Sequence, residues 1–172
     1  MSKAFTKEDD TGDAPVLPRL VSPLPPGTRN YLTRAGERRL RGELNQLAEK
    51  RPVLLASAQT DAEAKRQLAA LDQRLSYLQD SLRSAEVPPL PLPGDDRVRF
   101  GATVMVKEKD GTKTSYRIVG VDETDPDRNR VSWLSPIARA LLSARLGQKV
   151  AFKFPSGQKE LEIIRIDYEA EG

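Results

Sequence analysis

Apolar residues recur along 30–85 with helical spacing. Leu68, Leu71, Leu75, Leu78 and Leu82, followed by Ala85, keep a three-four rhythm that lays one apolar seam along a helix. An earlier stretch carries a matching row, Leu40, Leu44, Leu47, Leu54 and Ala58. A single helix cannot bury such a seam in water, so two seams in tandem predict an antiparallel coiled-coil hairpin. Thr33 is the expected N-cap of the first arm, with Tyr31 or Leu32 packing back onto its first turn. Gly36 and Gly42 weaken that arm by up to ~1 kcal/mol each, and a mid-helix Pro52 by ~3 kcal/mol. Pro52 is expected to kink the arm and to be tolerated where it faces solvent. The turn falls within Ala56–Asp61, with Thr60 or Asp61 capping the second arm and Glu63 in its first turn.

After the second arm the period changes. Val87–Asp96 (VPPLPLPGDD) is a linker, because its prolines and Gly94 suit neither a helix nor a central strand. Beyond it, Thr103–Val106 and Ser115–Val121 read as strands joined by a turn on Asp110-Gly111. Asp122–Arg130 reads as a charged loop and Val131–Leu134 as a short strand. Ser135 and Pro136 start a helix whose apolar face is Ile137, Ala140, Leu141 and Leu142, with Gly147 as its stop. Lys149–Phe154 and Glu160–Tyr168 are two further strands. The expected class is α+β: a helical hairpin (30–86), a Pro-rich linker (87–96) and an antiparallel sheet with one helix (97–172). Residues 1–29, acidic and then Pro-rich, are expected to be a disordered tail.

Composition narrows the chemistry. Cys and His are both absent, which excludes a Cys/His zinc site, a Ser-His-Asp triad and a Cys nucleophile. Lys and Arg number 28 against 25 Asp and Glu, a net +3 that admits a nucleic-acid or acidic-protein partner without requiring one. No apolar run approaches a membrane span, and the first residues have no apolar signal core, so a cytoplasmic protein without a membrane partner is expected.

Four stretches resemble the Gre transcript-cleavage factors of bacterial RNA polymerase, the GreB branch in particular. Met1–Glu8 (MSKAFTKE) is similar to a GreB-type start. Asn30-Tyr31-Leu32-Thr33 with Gly36, Leu40, Glu43 and Leu44 resembles the beginning of the family's first helix. Asp72–Leu78 (DQRLSYL) resembles its returning helix. Ser135–Leu142 (SPIARALL), Gly147 and Pro155-Ser156-Gly157 resemble its C-terminal signature. The resemblance implies a coiled-coil hairpin and a C-terminal domain of FKBP-like fold that docks at the polymerase secondary channel. It also implies an accessory factor, not an enzyme in itself and without a cofactor of its own. In that family, acidic residues at the hairpin tip help hold a Mg²⁺ that the polymerase carries, and the metal activates water to cut backtracked RNA.

This chain departs from the family at the tip. The paired acidic loop is missing and the hairpin is shorter by roughly a dozen residues, ~9 Å less reach when shared over two arms. Asp61 and Glu63 are the tip candidates: they either replace the acidic pair or serve as a helix cap and a dipole partner. Arg34, Arg38, Arg39 and Arg41 either face the nascent RNA 3′ end or an acidic polymerase surface, or form a solvated helix face. Ser135, Pro136 and Arg139 match the C-terminal signature and are candidates for contact with the polymerase core, Arg139 foremost. No residue is assigned to catalysis or as a metal ligand. The expected function is an elongation regulator in which cleavage stimulation is weakened or lost. The alternative is a Rnk-like, non-cleaving short-hairpin regulator of polymerase or another partner. A prolyl isomerase would need an aromatic-lined pocket from Phe100, Tyr116, Trp133, Phe152, Phe154 and Tyr168.

Overall fold

The computed structural model describes residues 24–169. The GreB-like start at Met1–Glu8 and most of the expected tail lie outside the described residues. Residues 24–29, assigned to the disordered tail from sequence, instead form a turn in which the Thr28 amide donates to the Pro25 carbonyl at 3.1 Å. Arg29 then pairs with Glu86 at 3.3 Å.

Helix α1 (Arg34–Ser57) and helix α2 (Ala62–Ser84) form the hairpin. At the start of α1 the Thr33 hydroxyl accepts from the Gly36 amide at 2.9 Å. The helix continues unbroken through Pro52, whose ring is exposed. Asp61 caps α2 by accepting from the Glu63 amide at 2.8 Å. The apolar seam faces inward: Leu40, Leu71, Leu75 and Leu78 are buried, and Leu44, Leu47, Leu54, Leu68 and Leu82 are half-buried. Leu32, just outside α1, is fully buried against Leu40 and Leu78. Burying each of these leucines contributes ~2 kcal/mol at most. Two guanidinium–carboxylate forks bridge the arms: Arg74 to Glu43 at 2.7 and 2.9 Å, and Arg51 to Asp72 at 2.7 and 3.1 Å. The seam thins toward the tip, where Val53 is 71% exposed.

Two short strands close the base. Strand β1 (Asn30–Tyr31) pairs in parallel with β2 (Ala85–Glu86), and the Leu32 amide adds a bond to the Glu86 carbonyl at 3.0 Å. The Asn30 amide group donates to the Ser81 carbonyl at 2.9 Å, tying the beginning of α1 to the end of α2.

The sheet is built from β3 (Thr103–Lys107), β4 (Lys113–Val119), β5 (Arg130–Ser132), β6 (Lys149–Phe154) and β7 (Gly157–Asp167), in the order β5-β4-β3-β7-β6. It is not wholly antiparallel, as expected from sequence: β5 runs parallel to β4. The reason lies in the preceding segment. Residues 121–130 are not a plain loop but contain two 3-10 turns, Val121–Glu123 and Pro126–Arg128, which carry the chain back to the start of β4's second half. Helix α3 (Pro136–Leu141) is short and covers the sheet with Ile137, Ala138 and Leu141. It ends at Leu141, well before Gly147, because Leu142 already turns to a ψ of 136° and Ser143 follows in a left-handed conformation with φ of 66°. The core beneath it includes Val98, Val104, Val106, Ile118, Leu161 and Ile163, all essentially inaccessible. Among the described residues the architecture is therefore mixed helix and sheet, three helices with one five-stranded sheet beside the small β1–β2 pair.

Candidate functional site

The hairpin tip is chemically quiet. Asp61 is exposed, and one of its carboxylate oxygens accepts from the Glu63 amide as a helix cap. The Glu63 carboxylate is held by Arg66 at 2.6 Å and by Gln67 at 3.2 Å. Arg66 lowers the Glu63 carboxyl below its ordinary value, with Gln67 adding to the effect. Among the described residues no cluster of three or more Asp, Glu, His or Cys side chains could hold a metal.

The four arginines in the first two turns of α1, Arg34, Arg38, Arg39 and Arg41, do not act as one face. Arg41 turns back to Glu37 at 2.7 Å. Arg39 reaches across to the sheet module and donates to the Asp122 carbonyl at 2.8 Å. Arg34 and Arg38 line a cleft between α1 and the segment before β3, together with Pro88, Leu90, Phe100 and Arg117. The structure thus sends Arg39, Arg34 and Arg38 toward the other half of the molecule and leaves Arg41 on the helix surface.

On α3, the Ser135 hydroxyl accepts from the Ala138 amide at 3.3 Å and Pro136 occupies the first turn. Both residues start the helix, and Pro136 is exposed as well. Arg139 is exposed, and among the described residues its guanidinium has no carboxylate partner. Leu146, 53% exposed, lies just beyond the helix.

The constellation that sequence reasoning missed is the junction between hairpin and sheet. Glu123 is 5% exposed and has three donors: the Thr33 amide at 2.9 Å, the Thr33 hydroxyl, and the Gly120 amide at 3.1 Å. Its neighbour Asp122 accepts from the Tyr77 hydroxyl and, at 2.6 Å, from the Ser81 hydroxyl. Thr33 therefore both caps α1 and clasps the sheet. Tyr31 covers Phe100 and Trp133, with ring centroids 5.5 and 5.0 Å away, so the hairpin base sits on two of the aromatics a prolyl-isomerase pocket would need. Two glycines make this approach possible. A Cβ on Gly36 would lie 2.1 Å from the Glu123 carboxylate, and one on Gly120 would lie 2.1 Å from the Tyr31 carbonyl. The signal was present in the sequence as Gly120-Val121-Asp122-Glu123, but nothing local says that these acids face inward.

Comparison with known proteins gives this geometry a family. Residues 93–168 match the family described as transcription elongation factor, GreA/GreB, C-terminal. Transcription elongation factor GreB of Neisseria meningitidis serogroup B is 37% identical over 155 residues, covering 82% of this chain and 95% of that protein. The chain belongs to the GreA/GreB family. GreB of Pseudomonas aeruginosa is 33% identical over 159 residues, covering 84% of this chain and 95% of that protein. A solved GreA/GreB elongation factor from Nitrosomonas europaea aligns at 19% identity with a TM-score of 0.40, over 81% of this chain and 99% of that one.

The family match includes Ser135, Pro136 and Arg139, and also Asp122 and Glu123 of the junction. The Neisseria alignment spans 155 positions but takes in 82% of a chain of 172 residues, about 141 residues, so about 14 positions of that GreB have no counterpart here. No helix among the described residues is long and apolar enough to cross a membrane.

Proposed function

We propose that this Gre-family factor binds the bacterial RNA polymerase core at its secondary channel and regulates elongation without stimulating transcript cleavage. The observation that carries the reading is the state of the tip. Asp61 is spent on a helix cap and Glu63 on Arg66, leaving no pair of free carboxylates for a hard cation. Asp61 and Glu63 therefore do not fit as ligands of the Mg²⁺ that the polymerase carries, and no step through that metal is assigned to this chain. Length argues the same way in this reading: a hairpin shorter by roughly a dozen residues, as the resemblance implies, loses ~9 Å of reach against ligand distances of ~2 Å. The elongation-factor names of the relatives favour this reading over a Rnk-like role.

In this reading the chain is an accessory factor that needs no cofactor of its own. Arg139 and the helix start at Ser135-Pro136 present the docking face on the sheet module, and the junction at Glu123 fixes the direction in which the hairpin points. The test is a backtracked elongation complex. The expected result is binding to the polymerase, competition with a cleaving GreB factor, and no 3′-fragment release above that of polymerase alone. Prompt fragment release that disappears in an Asp61→Ala/Glu63→Ala variant would overturn the non-cleaving half. Failure to bind core polymerase would overturn the other.

A further inference from the structure

A second cleft lies where α1 meets the sheet, apart from both the tip and the α3 face. One lobe, about 140 Å³, is lined by Arg39, Arg117 and Arg130 together with Thr33, Glu123 and Glu169. The adjoining lobe brings Arg34 and Arg38 to the same Arg117 and Glu169. Five arginines thus line the two lobes with, among the described residues, two carboxylates, and Glu123 is held in place by the Thr33 and Gly120 donors. Glu169 forms an ion pair with Arg117.

Arg117 is the anchor. Its side chain is only 14% exposed, and its Nε is buried with no hydrogen-bond partner. Burial lowers its guanidinium from the ordinary value, and the like charge of Arg130 lowers it further, with Glu123 acting in the opposite sense. Among the described residues Arg130 has no carboxylate partner. Arg39 is held in place by its bond to the Asp122 carbonyl. Like charges brought together in a half-buried cleft are unfavourable until an anion joins them, and the planar donor forks of arginine match tetrahedral oxyanions.

We propose that this cleft binds a small phosphate-bearing anion between Arg117 and Arg130, displacing the carboxylate of Glu169, which occupies the position as an internal counter-ion. The shared chemistry is the phosphate group, whether free or at the end of a nucleotide. Two linked phosphates offer more charge and more acceptor oxygens to the arginine forks, so pyrophosphate should bind more tightly than phosphate.

The test is calorimetric titration of the full chain at low ionic strength with inorganic phosphate, pyrophosphate and a nucleoside triphosphate in separate arms. Arg130→Gln should weaken pyrophosphate about tenfold, the size expected for one charge-assisted contact. Glu169→Gln should tighten it severalfold, because the competitor is gone. Lys153→Gln, on the exposed face of β6, removes the same charge far from the cleft and should leave affinity as in the wild type. A triphosphate that binds no better than pyrophosphate would assign the site to the phosphates alone; a tighter triphosphate would assign it to a nucleotide. Should Arg117→Gln fail to fold, the exposed Glu169 and the half-exposed Arg130 still give the answer. The proposal is overturned if no arm binds, if Glu169→Gln binds no tighter than wild type, or if Lys153→Gln loses as much as Arg130→Gln. Retention by a single-stranded RNA oligomer, in the absence of pyrophosphate binding, would likewise overturn it in favour of a nucleic-acid backbone.

Discussion

Thr33 and Glu123, ninety positions apart in sequence, are joined by a 2.9 Å bond from the Thr33 amide to the Glu123 carboxylate, with the Thr33 hydroxyl donating to its other oxygen. The residue that starts the hairpin is therefore also the residue that fixes it to the sheet. Gly36 lies one turn in, directly over that carboxylate.

Gly36 and Gly42 consequently respond in opposite ways to alanine. Gly42 has open space around it, so Gly42→Ala should stabilise by up to ~1 kcal/mol through helix propensity alone. Gly36→Ala drives a methyl group into Glu123, which cannot move aside without leaving its three donors. It should destabilise by about 2–4 kcal/mol despite the same gain in propensity. Urea denaturation of the two variants, side by side, reads the difference in sign.

The fork between Arg74 and Glu43 makes the hairpin sensitive to acid. The hydrogen bonds from Arg74 hold the Glu43 carboxyl below its ordinary value, against the opposing effect of burial. A carboxyl lowered on folding stabilises the folded state fully above its unfolded pKa, and that stability is lost as pH falls through the lowered folded value. Thermal denaturation should show the wild type losing ground to Glu43→Gln only at pH values below the usual carboxylate range. At neutral pH the substitution should cost no more than about 1 kcal/mol, since the pair is partly solvated.

Pro52 sits within α1 with its ring in solvent and forfeits a backbone bond to Ala48. Pro52→Ala restores that bond without disturbing the seam. It should raise stability by about 1–3 kcal/mol and increase the helical circular dichroism signal. A loss of stability would mean that the proline shapes the arm in a way the seam requires.

Arg139 is exposed and has no carboxylate partner among the described residues. Arg139→Glu should leave the melting temperature unchanged while weakening core polymerase binding by about tenfold or more, as expected for reversing a charge at a docking face. Equal affinity of the variant and the wild type would remove Arg139 from the contact surface.

The sequence by itself determined the parts whose signals are local. The leucine rhythm placed both arms, Thr33 and Asp61 capped them, Asp110-Gly111 turned β3 into β4, and Ser135-Pro136 began α3, because periodicity, capping and turn chemistry act over a few residues. The contacts of Asp61 and Glu63 at the tip are local in the same sense, since they bond to groups two to four positions away. What only the tertiary structure decided is long-range. The parallel pairing of β5, the burial of Glu123 beneath Thr33, the clearance supplied by Gly36 and Gly120, and the convergence of Arg34, Arg38, Arg39, Arg117 and Arg130 each join segments far apart in the chain. A charged residue in a surface-like sequence context carries no local mark of burial. Whether it is solvated, paired or gathered into a cleft depends on which distant backbone and side-chain groups the fold brings to it.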